Sequence, residues 1–407
     1  MGNNASWGSK YSWGAAFTVA SVWFGTHVGG GFASGNQIIQ YYAQYGWTAV
    51  IYPLLAMGLL AVVMYIMMKF AKLNGYDNYK DTYRALYPKP WMEIFFEIFY
   101  VVILLAAMAS AVAGAGEVFA NFLGFEYIGT TKILCNLLIV AILIVLSIFG
   151  IKLVIAASTV LSAAILVVVA IMVVTGLTAN FDAIAANLTS ANGITALTPY
   201  TQAPATAIWK GILVYAAFQC VSVAPMISAA TELNQKGLKR TAILGGLMNG
   251  GALAVSGWML VKWYPLLAAL KEAGVEGFKN ALSVPNQTVL TMVGIKWVLV
   301  IFSVLLFCAF VSTCVTLTYS MVQRFQGYCF PNAIKSEKWR GVIVAAITIA
   351  VCFAVSLLGL TKIIKYAYGY CGYYSLLFII IPAFIWGIPK CRKLEAMHKS
   401  ADDKAKA

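Results

Sequence analysis

Gly25-Thr26-His27-Val28-Gly29-Gly30-Gly31-Phe32-Ala33-Ser34-Gly35 puts five glycines into eleven residues, inside an uncharged apolar run from Tyr11 to Met68. Each glycine costs about 1 kcal/mol against alanine in a helix interior. Such a stretch does not hold an ordinary helix. In hydrocarbon, however, every backbone N–H and C=O needs a partner, and a broken helix at bilayer depth persists only where it is buried in protein or lines a cavity. The sequence therefore predicts a helix interrupted at residues 25–31, with peptide groups presented to a bound solute.

Composition supports a membrane setting. The chain of 407 residues is 61% hydrophobic and only 10% charged, against about 25% charged in a soluble domain. No cleavable signal peptide is legible at the start. The net charge of +14 does not point to nucleic acid, because the basic residues cluster in short segments at helix ends. The eight cysteines (Cys135, Cys220, Cys308, Cys314, Cys329, Cys352, Cys371 and Cys391) fall mostly within apolar spans and form no CxxC pair. They read as small buried hydrophobes rather than a metal cluster.

Uncharged runs of about 20 residues predict ten spans: 13–43 (broken), 47–69, 92–121, 132–150, 153–176, 207–231, 240–264, 295–324, 340–360 and 364–388. A polar connector occupies 177–206. Residues 265–294 form a long loop whose Leu266–Ala281 part is amphipathic. With the N-terminus inside, 20 of the 28 basic residues are cytoplasmic, so both termini are expected in the cytoplasm, at the plasma membrane. Ten spans divide into repeats at 13–176 and 207–388, followed by a tail at 389–407. Five spans per repeat would insert the second half upside down. Each half opens on a weak helix, because span 6 carries Gln219 and Ser222 just before Pro225. Proline removes a donor and crowds the preceding turn. Interrupted segments at matching positions are the sequence mark of a transport site.

This arrangement resembles the LeuT-like fold of the amino acid–polyamine–cation superfamily, an all-α integral membrane bundle of five plus five inverted helices. More narrowly, Gly-Thr-x-Val-Gly-x-Gly-Phe-Ala-Ser-Gly at 25–35 resembles the first span of the YkvI-type bacterial membrane proteins. Tyr215 to Gln219, Gly245-Gly246 and Tyr368-Gly369-Tyr370-Cys371-Gly372-Tyr373 are similar to later spans of that family. The resemblance covers roughly 13–388. It implies a secondary transporter. Two positions depart from it: His27 stands where an aliphatic residue is usual, and Asn36-Gln37 where an acidic one often follows.

Phe307 to Thr313 in span 8 is similar to the sodium-binding pattern of LeuT-like transporters. The resemblance assigns Ser312 and Thr313 hydroxyls and the carbonyls of Ala309, Gly25 and Val28 to Na+ as coupling ion. Neutral oxygens suit a hard monovalent cation. The alternative is that both hydroxyls bond back to their own helix. The substrate set expected around the break is Thr26, His27, Gly29, Gly30 and Gly31, with Met108 and Ser110 from span 3 and Tyr215, Gln219 and Ser222 from span 6. The glycine N–H groups would form a partially positive end suited to a carboxylate; the alternative is close helix packing. His27 would bond substrate, carry a proton, or be a neutral side chain satisfied by a neighbour. Glu93 and Glu97 would complement a helix start or pair with loop lysines. Glu117 would be a solvated surface charge, or an outer gate paired with Lys362 or Lys365. Of the tyrosine run 366–374, Tyr366 and Tyr370 are the gating candidates.

The function expected is sodium-coupled symport of a small amino-acid-like or other polar solute in the lipid bilayer. The alternatives are a proton-coupled or uncoupled transporter of the same fold, or a channel or sensor built on it. No intramembrane acid lies near the break to receive a polyamine. No zinc motif, nucleophile pair or phosphate loop suggests an enzyme. Oligomeric state is open.

Overall fold

A computed structural model describes residues 8–27, 29–146, 151–327 and 334–406, with side chains throughout except at 151–163 and 401–406. Val28 and Cys329 lie outside the described residues. Among the described residues there is no strand, only one isolated bridge between Lys10 and Leu233.

The helices are α1 (Trp13–His27), α2 (Gly30–Ala33), α3 (Asn36–Tyr41), α4 (Thr48–Asn74), α5 (Tyr79–Leu86), α6 (Ile94–Phe122), α7 (Gly129–Val145), α8 (Ile151–Thr178), α9 (Phe181–Ala191), α10 (Pro204–Glu232), α11 (Gln235–Glu272), α12 (Pro285–Val293), α13 (Lys296–Phe325), α14 (Glu337–Ser356) and α15 (Leu360–Ser400). Seven of them are long and apolar enough to cross a membrane: α4, α6, α10, α11, α13, α14 and α15. The arm Ala164–Thr178 and α9, bent 77° apart, make an eighth if taken together. The other two expected spans correspond to the interrupted α1–α3 and to α7, which has 17 residues.

Local chemistry sets the ends. Asn78, Asn180 and Asn234 cap α5, α9 and α11 by accepting the N–H of Asp81, Ala183 and Gly237, which satisfies a donor left free at a helix start. Pro204 and Pro285 open α10 and α12, where no donor is needed. Gly35 at φ 84° supplies the left-handed turn between α2 and α3.

Two boundaries differ from expectation. Helix α11 runs eight residues past position 264: Pro265 lies inside it, yet the segment stays helical to Glu272. Span 6 is interrupted mildly. Its ladder widens at Trp209–Val214 and tightens to a 3-10 turn at Gln219–Ser222 ahead of Pro225, without opening.

The helices pack as two groups. One holds α1, α4, α10 and α11; the other holds α6, α7, α8, α13 and α14. Within the first, a glycine stripe on α11 meets α4. A Cβ on Gly257 would lie 2.5 Å from the Ala49 carbonyl, and one on Gly246 would lie 3.1 Å from Ala61 Cβ. Gly245 likewise admits the Trp23 ring of α1. In a membrane, where apolar burial gives no preference for helix over lipid, such close approach is what holds helices together.

Candidate functional site

The break in span 1 falls where the glycines predict. Helix α1 ends at His27, and the Gly29 N–H donates to the His27 carbonyl at 2.9 Å. Gly29 is extended (φ −95°, ψ −176°), and α2 restarts at Gly30. The three glycines then serve different neighbours. A Cβ on Gly30 would sit 2.0 Å from the Phe310 ring, and one on Gly114 of α6 would sit 2.3 Å from another part of it. Phe310, fully buried, is thus held between two glycines. Close packing accounts for Gly30. Gly31 approaches the Gln37 amide, and Gly29 lies beside Thr313 Oγ1.

A cavity of about 350 Å³ opens at the break, between α1, α6, α10, α13 and α8. Gly25, Thr26, Gly29, Ser222, Ser312 and Thr313 line it, with Ala309, Tyr100, Thr316 and Ser320. The lining runs from the break toward the end of the molecule that holds the α1 start and the α13 end, and Gly25, Thr26 and Thr316 are exposed along it. Thr26 Oγ1 lies 2.8 Å from the Trp23 carbonyl and 3.2 Å from Ser222 Oγ. Ser312 and Thr313 both donate to the Ala309 carbonyl, at 3.0 and 2.8 Å. The back-bonding arrangement is therefore present. It consumes the hydroxyl protons and leaves the oxygen lone pairs as acceptors, which a cation requires.

The remaining expected substrate residues are buried beside the cavity. His27 Nδ1 lies 2.5 Å from Asn249 Oδ1, and Nε2 lies 2.9 Å from the Tyr215 hydroxyl. The Asn249 amide donates to the Gly245 carbonyl, and Tyr215 donates to Gln37 Oε1 at 3.1 Å. The result is a chain of polar groups joining α1, α3, α10 and α11. Gln219 and Met108 are also buried, and Ser110 meets the Tyr368 hydroxyl at 3.3 Å. Asn249 and Gln37 were not among the expected site residues. A lone asparagine within an apolar span is itself a signal of this kind.

On the opposite side the path is closed. Tyr41, Tyr215, Phe218 and Tyr368 form a cluster of rings with centroids 4.7–5.4 Å apart along its contacts. Tyr366 and Tyr370, expected as gates, are 50% and 69% exposed and point away. Two residues turn a helix about halfway round, so Tyr368 faces inward while both neighbours face outward. Above the rings, the Asn36 amide donates to the Leu282 and Ser283 carbonyls and to Thr361, and the Asn286 amide donates to the Ala33 carbonyl.

Glu117 is neither solvated nor paired with Lys362 or Lys365. It is 1% exposed and accepts from Ser283 Oγ at 2.5 Å, because residues 275–284 fold over the end of α6. Both lysines are exposed elsewhere. At the other end, Glu93 pairs with Arg84 and Glu97 with Arg324, arginines rather than lysines.

No protein-family model matches the sequence, and a search of curated proteins finds no match. Solved structures do match. The complex of MhsT with L-phenylalanine aligns over 97% of this chain and 96% of its own at TM-score 0.58 and 14% identity. A Na+-coupled sialic acid symporter, outward-open with substrate, aligns over 91% and 79% at TM-score 0.58 and 13% identity. Mhp1 in its inward-facing conformation aligns over 98% and 94% at TM-score 0.57 and 12% identity. The chain has the LeuT fold. At these identities the likeness speaks for architecture, and the role of each side chain has to be argued from its own surroundings.

Those surroundings divide the expected residues. Gly25, Thr26, Gly29, Ser222, Ala309, Ser312 and Thr313 share one cavity. His27, Gly30, Met108, Tyr215 and Gln219 are packed behind it. Gly31 is half-buried against Gln37.

Proposed function

We propose that this protein is a secondary active transporter that couples Na+ to the uptake of a small amino-acid-like or other polar solute by alternating access. The observation that carries the reading is the meeting, in one cavity, of the broken span 1 with the span 8 hydroxyls. Gly25, Ala309, Ser312 and Thr313, together with Val28, would supply neutral oxygens to Na+, and Thr26, Gly29 and Ser222 would meet the solute. The cavity has no charged lining side chain among the described residues, which suits a neutral or zwitterionic solute. Cavity residues are exposed at one end while rings and amide bonds close the other. This is the arrangement of an inward-facing state if the termini are cytoplasmic. The repeats 13–176 and 207–388, and membership of the YkvI-type family, belong to the same proposal.

A second reading, proton coupling, is favoured by one observation: the Tyr215 hydroxyl stands between His27 and Gln37 at hydrogen-bond distance from both. Purified protein in liposomes separates the two. A panel of labelled solutes, chosen by a thermal-shift screen with and without Na+, should accumulate when a Na+ gradient is imposed. Accumulation driven by a pH gradient alone would favour the second reading. No accumulation of any thermal-shift ligand under either gradient would remove both.

A further inference from the structure

Above Glu117 lies a second cavity, of about 550 Å³, bounded by the 123–128 loop, the 275–284 segment, α12 and the start of α13. Its lining mixes apolar side chains with polar and charged ones, among them Asn121, Gln287 and Ser303 and the charged Glu126, Glu276, Lys279 and Lys296. The floor is bonded across: Asn121 donates to Gln287, and Gln287 to Ser303. One helical turn below Asn121 on α6 is Glu117, and four residues before Gln287 is its partner Ser283. The cavity therefore ends about one helical turn from a buried carboxyl group that does not itself line it.

That carboxyl is incompletely satisfied. Ser283 donates to Oε2, while Oε1 is buried with no hydrogen-bond partner. Among the described residues no cation lies within ion-pair distance. The charged or titratable groups facing it are Tyr127 in the loop, which bonds Asn136, and Lys132 on α7. Gln287 and Ser303 of α12 and α13 line the cavity, whose wall also carries Glu126, Glu276, Lys279 and Lys296, and Asn36 of α3 shares the partner Ser283. A carboxylate sealed from water without a counter-charge is costly. Ser283 also supplies a carbonyl to Asn36 of span 1, whose own Oδ1 is buried and unpaired.

We infer that Glu117 is a cation site reached through the outer cavity, and that a small cation on it, a proton or Na+, seats residues 275–284 over α6. Neutralisation removes the cost of sealing the carboxyl beneath the segment, the Ser283 bond adds to the seating, and the seated segment offers the Leu282 and Ser283 carbonyls to Asn36. Filling the site closes the outer side. The inference rests on the alternating-access reading but concerns this latch alone. Solute accumulation tests that reading, and the behaviour of the latch tests this one.

The measurement is hydrogen exchange of 275–286 in lipid nanodiscs, comparing wild type with Glu117→Gln under identical conditions so that intrinsic exchange chemistry cancels. The neutral amide keeps a bond to Ser283 and needs no cation. Wild-type protection should rise as cation is added, by about 100-fold at a hundred times the dissociation constant. In Glu117→Gln it should be high throughout. A rise on acidification without Na+ identifies the proton; a rise with Na+ at alkaline pH identifies Na+. Ser283→Ala should loosen the segment yet keep its cation dependence, and it serves if Glu117→Gln fails to fold. Equal cation dependence in wild type and Glu117→Gln, or none in wild type and Ser283→Ala, overturns the inference.

Discussion

Gly30→Ala tests what the glycine triplet is for. The added Cβ would stand 2.0 Å from Phe310 Cδ1, where ordinary contact begins near 3.4 Å, so about 1.4 Å of separation is missing. The ring has no room to retreat. Gly114 meets it elsewhere at a comparable approach, and Phe310 has no exposed surface. Overpacking of a site without slack costs about 1–3 kcal/mol, and the upper part of that range applies. Gly114→Ala meets the same ring but gains up to about 1 kcal/mol of helix propensity within the long α6. It should therefore be the milder change. Phe310→Leu alone removes part of the ring volume and should cost about 1–1.5 kcal/mol. In combination with Gly30→Ala it makes space for the new methyl, giving a favourable coupling of about 1–2 kcal/mol.

The assay uses the chain's own thiols. Cys135, Cys220, Cys314, Cys352, Cys371 and Cys391 are buried, so a thiol-reactive dye reports unfolding. A half-life at fixed temperature is the appropriate quantity, since unfolding of such a protein is irreversible. Each 1.4 kcal/mol placed on the unfolding barrier is tenfold in rate. Alanine keeps its backbone N–H. If the triplet served only to present peptide groups, Gly30→Ala would unfold at the wild-type rate, and that result would refute the packing argument. So would a double variant whose loss equals the sum of the two single losses.

Thr313→Ala removes a hydroxyl from the candidate ion site and should raise the Na+ concentration for half-maximal uptake about tenfold or more, given about 1.5–3 kcal/mol for a bond to a charged group. Ser312→Ala should act in the same direction, and unchanged Na+ dependence in both would remove the assignment. His27→Phe leaves the Asn249 carbonyl without its partner, while the Tyr215 hydroxyl keeps Gln37, and should cost about 1–3 kcal/mol. Tyr215→Phe takes the partner from His27 Nε2 and Gln37 Oε1 and should cost about as much; wild-type half-lives in both variants would contradict the network. Glu126 is held below the usual carboxylate range by the Lys279 ammonium and the Gly277 N–H. A depressed value contributes above the unfolded-state range and is lost as pH falls through the folded one, so the tie between 123–128 and 277–279 should loosen in acid and in high salt. Chemical shifts around Gly277 that stay constant through the acid range in wild type would count against it.

What the sequence disclosed follows from how local each feature is. The break in span 1 was legible because five glycines act within eleven residues. The mildness of the interruption in span 6 was not: Pro225 withdraws one donor, and the 3-10 turn at Gln219–Ser222 accommodates it by tightening. The tyrosine run announced aromatic contact, but alternate members face opposite ways, and only packing against Tyr215 and Phe218 selects Tyr368. Glu117 read as a surface charge because it lies near the end of its span. The segment that buries it comes from 166 residues away, and no local pattern carries that information. His27 was legible as an intramembrane polar group, whereas its bond to Asn249 joins residues 222 apart.

The two groups of helices differ in how they are joined, and the difference fixes where motion can occur. Within the first group α11 meets α4 through glycines at near-backbone contact, with the Ala49 carbonyl against Gly257. Sliding there would drive side chains into backbone, so α4 and α11 move together. Across the seam on the closed side, span 1 is tied to residues 282–286 by the Asn36 amide to two carbonyls, the Asn286 amide to Ala33 and the Asn286 N–H to Ser34. Each bond is worth about 1 kcal/mol net, a few kcal/mol together. That is comparable to the roughly 5.5 kcal/mol by which a ligand must prefer one state to carry a two-state equilibrium from 1:99 to 99:1. Under the proposed alternating access, solute and ion binding would suffice to reverse this seam, while the glycine-lined contact between α4 and α11 would stay intact.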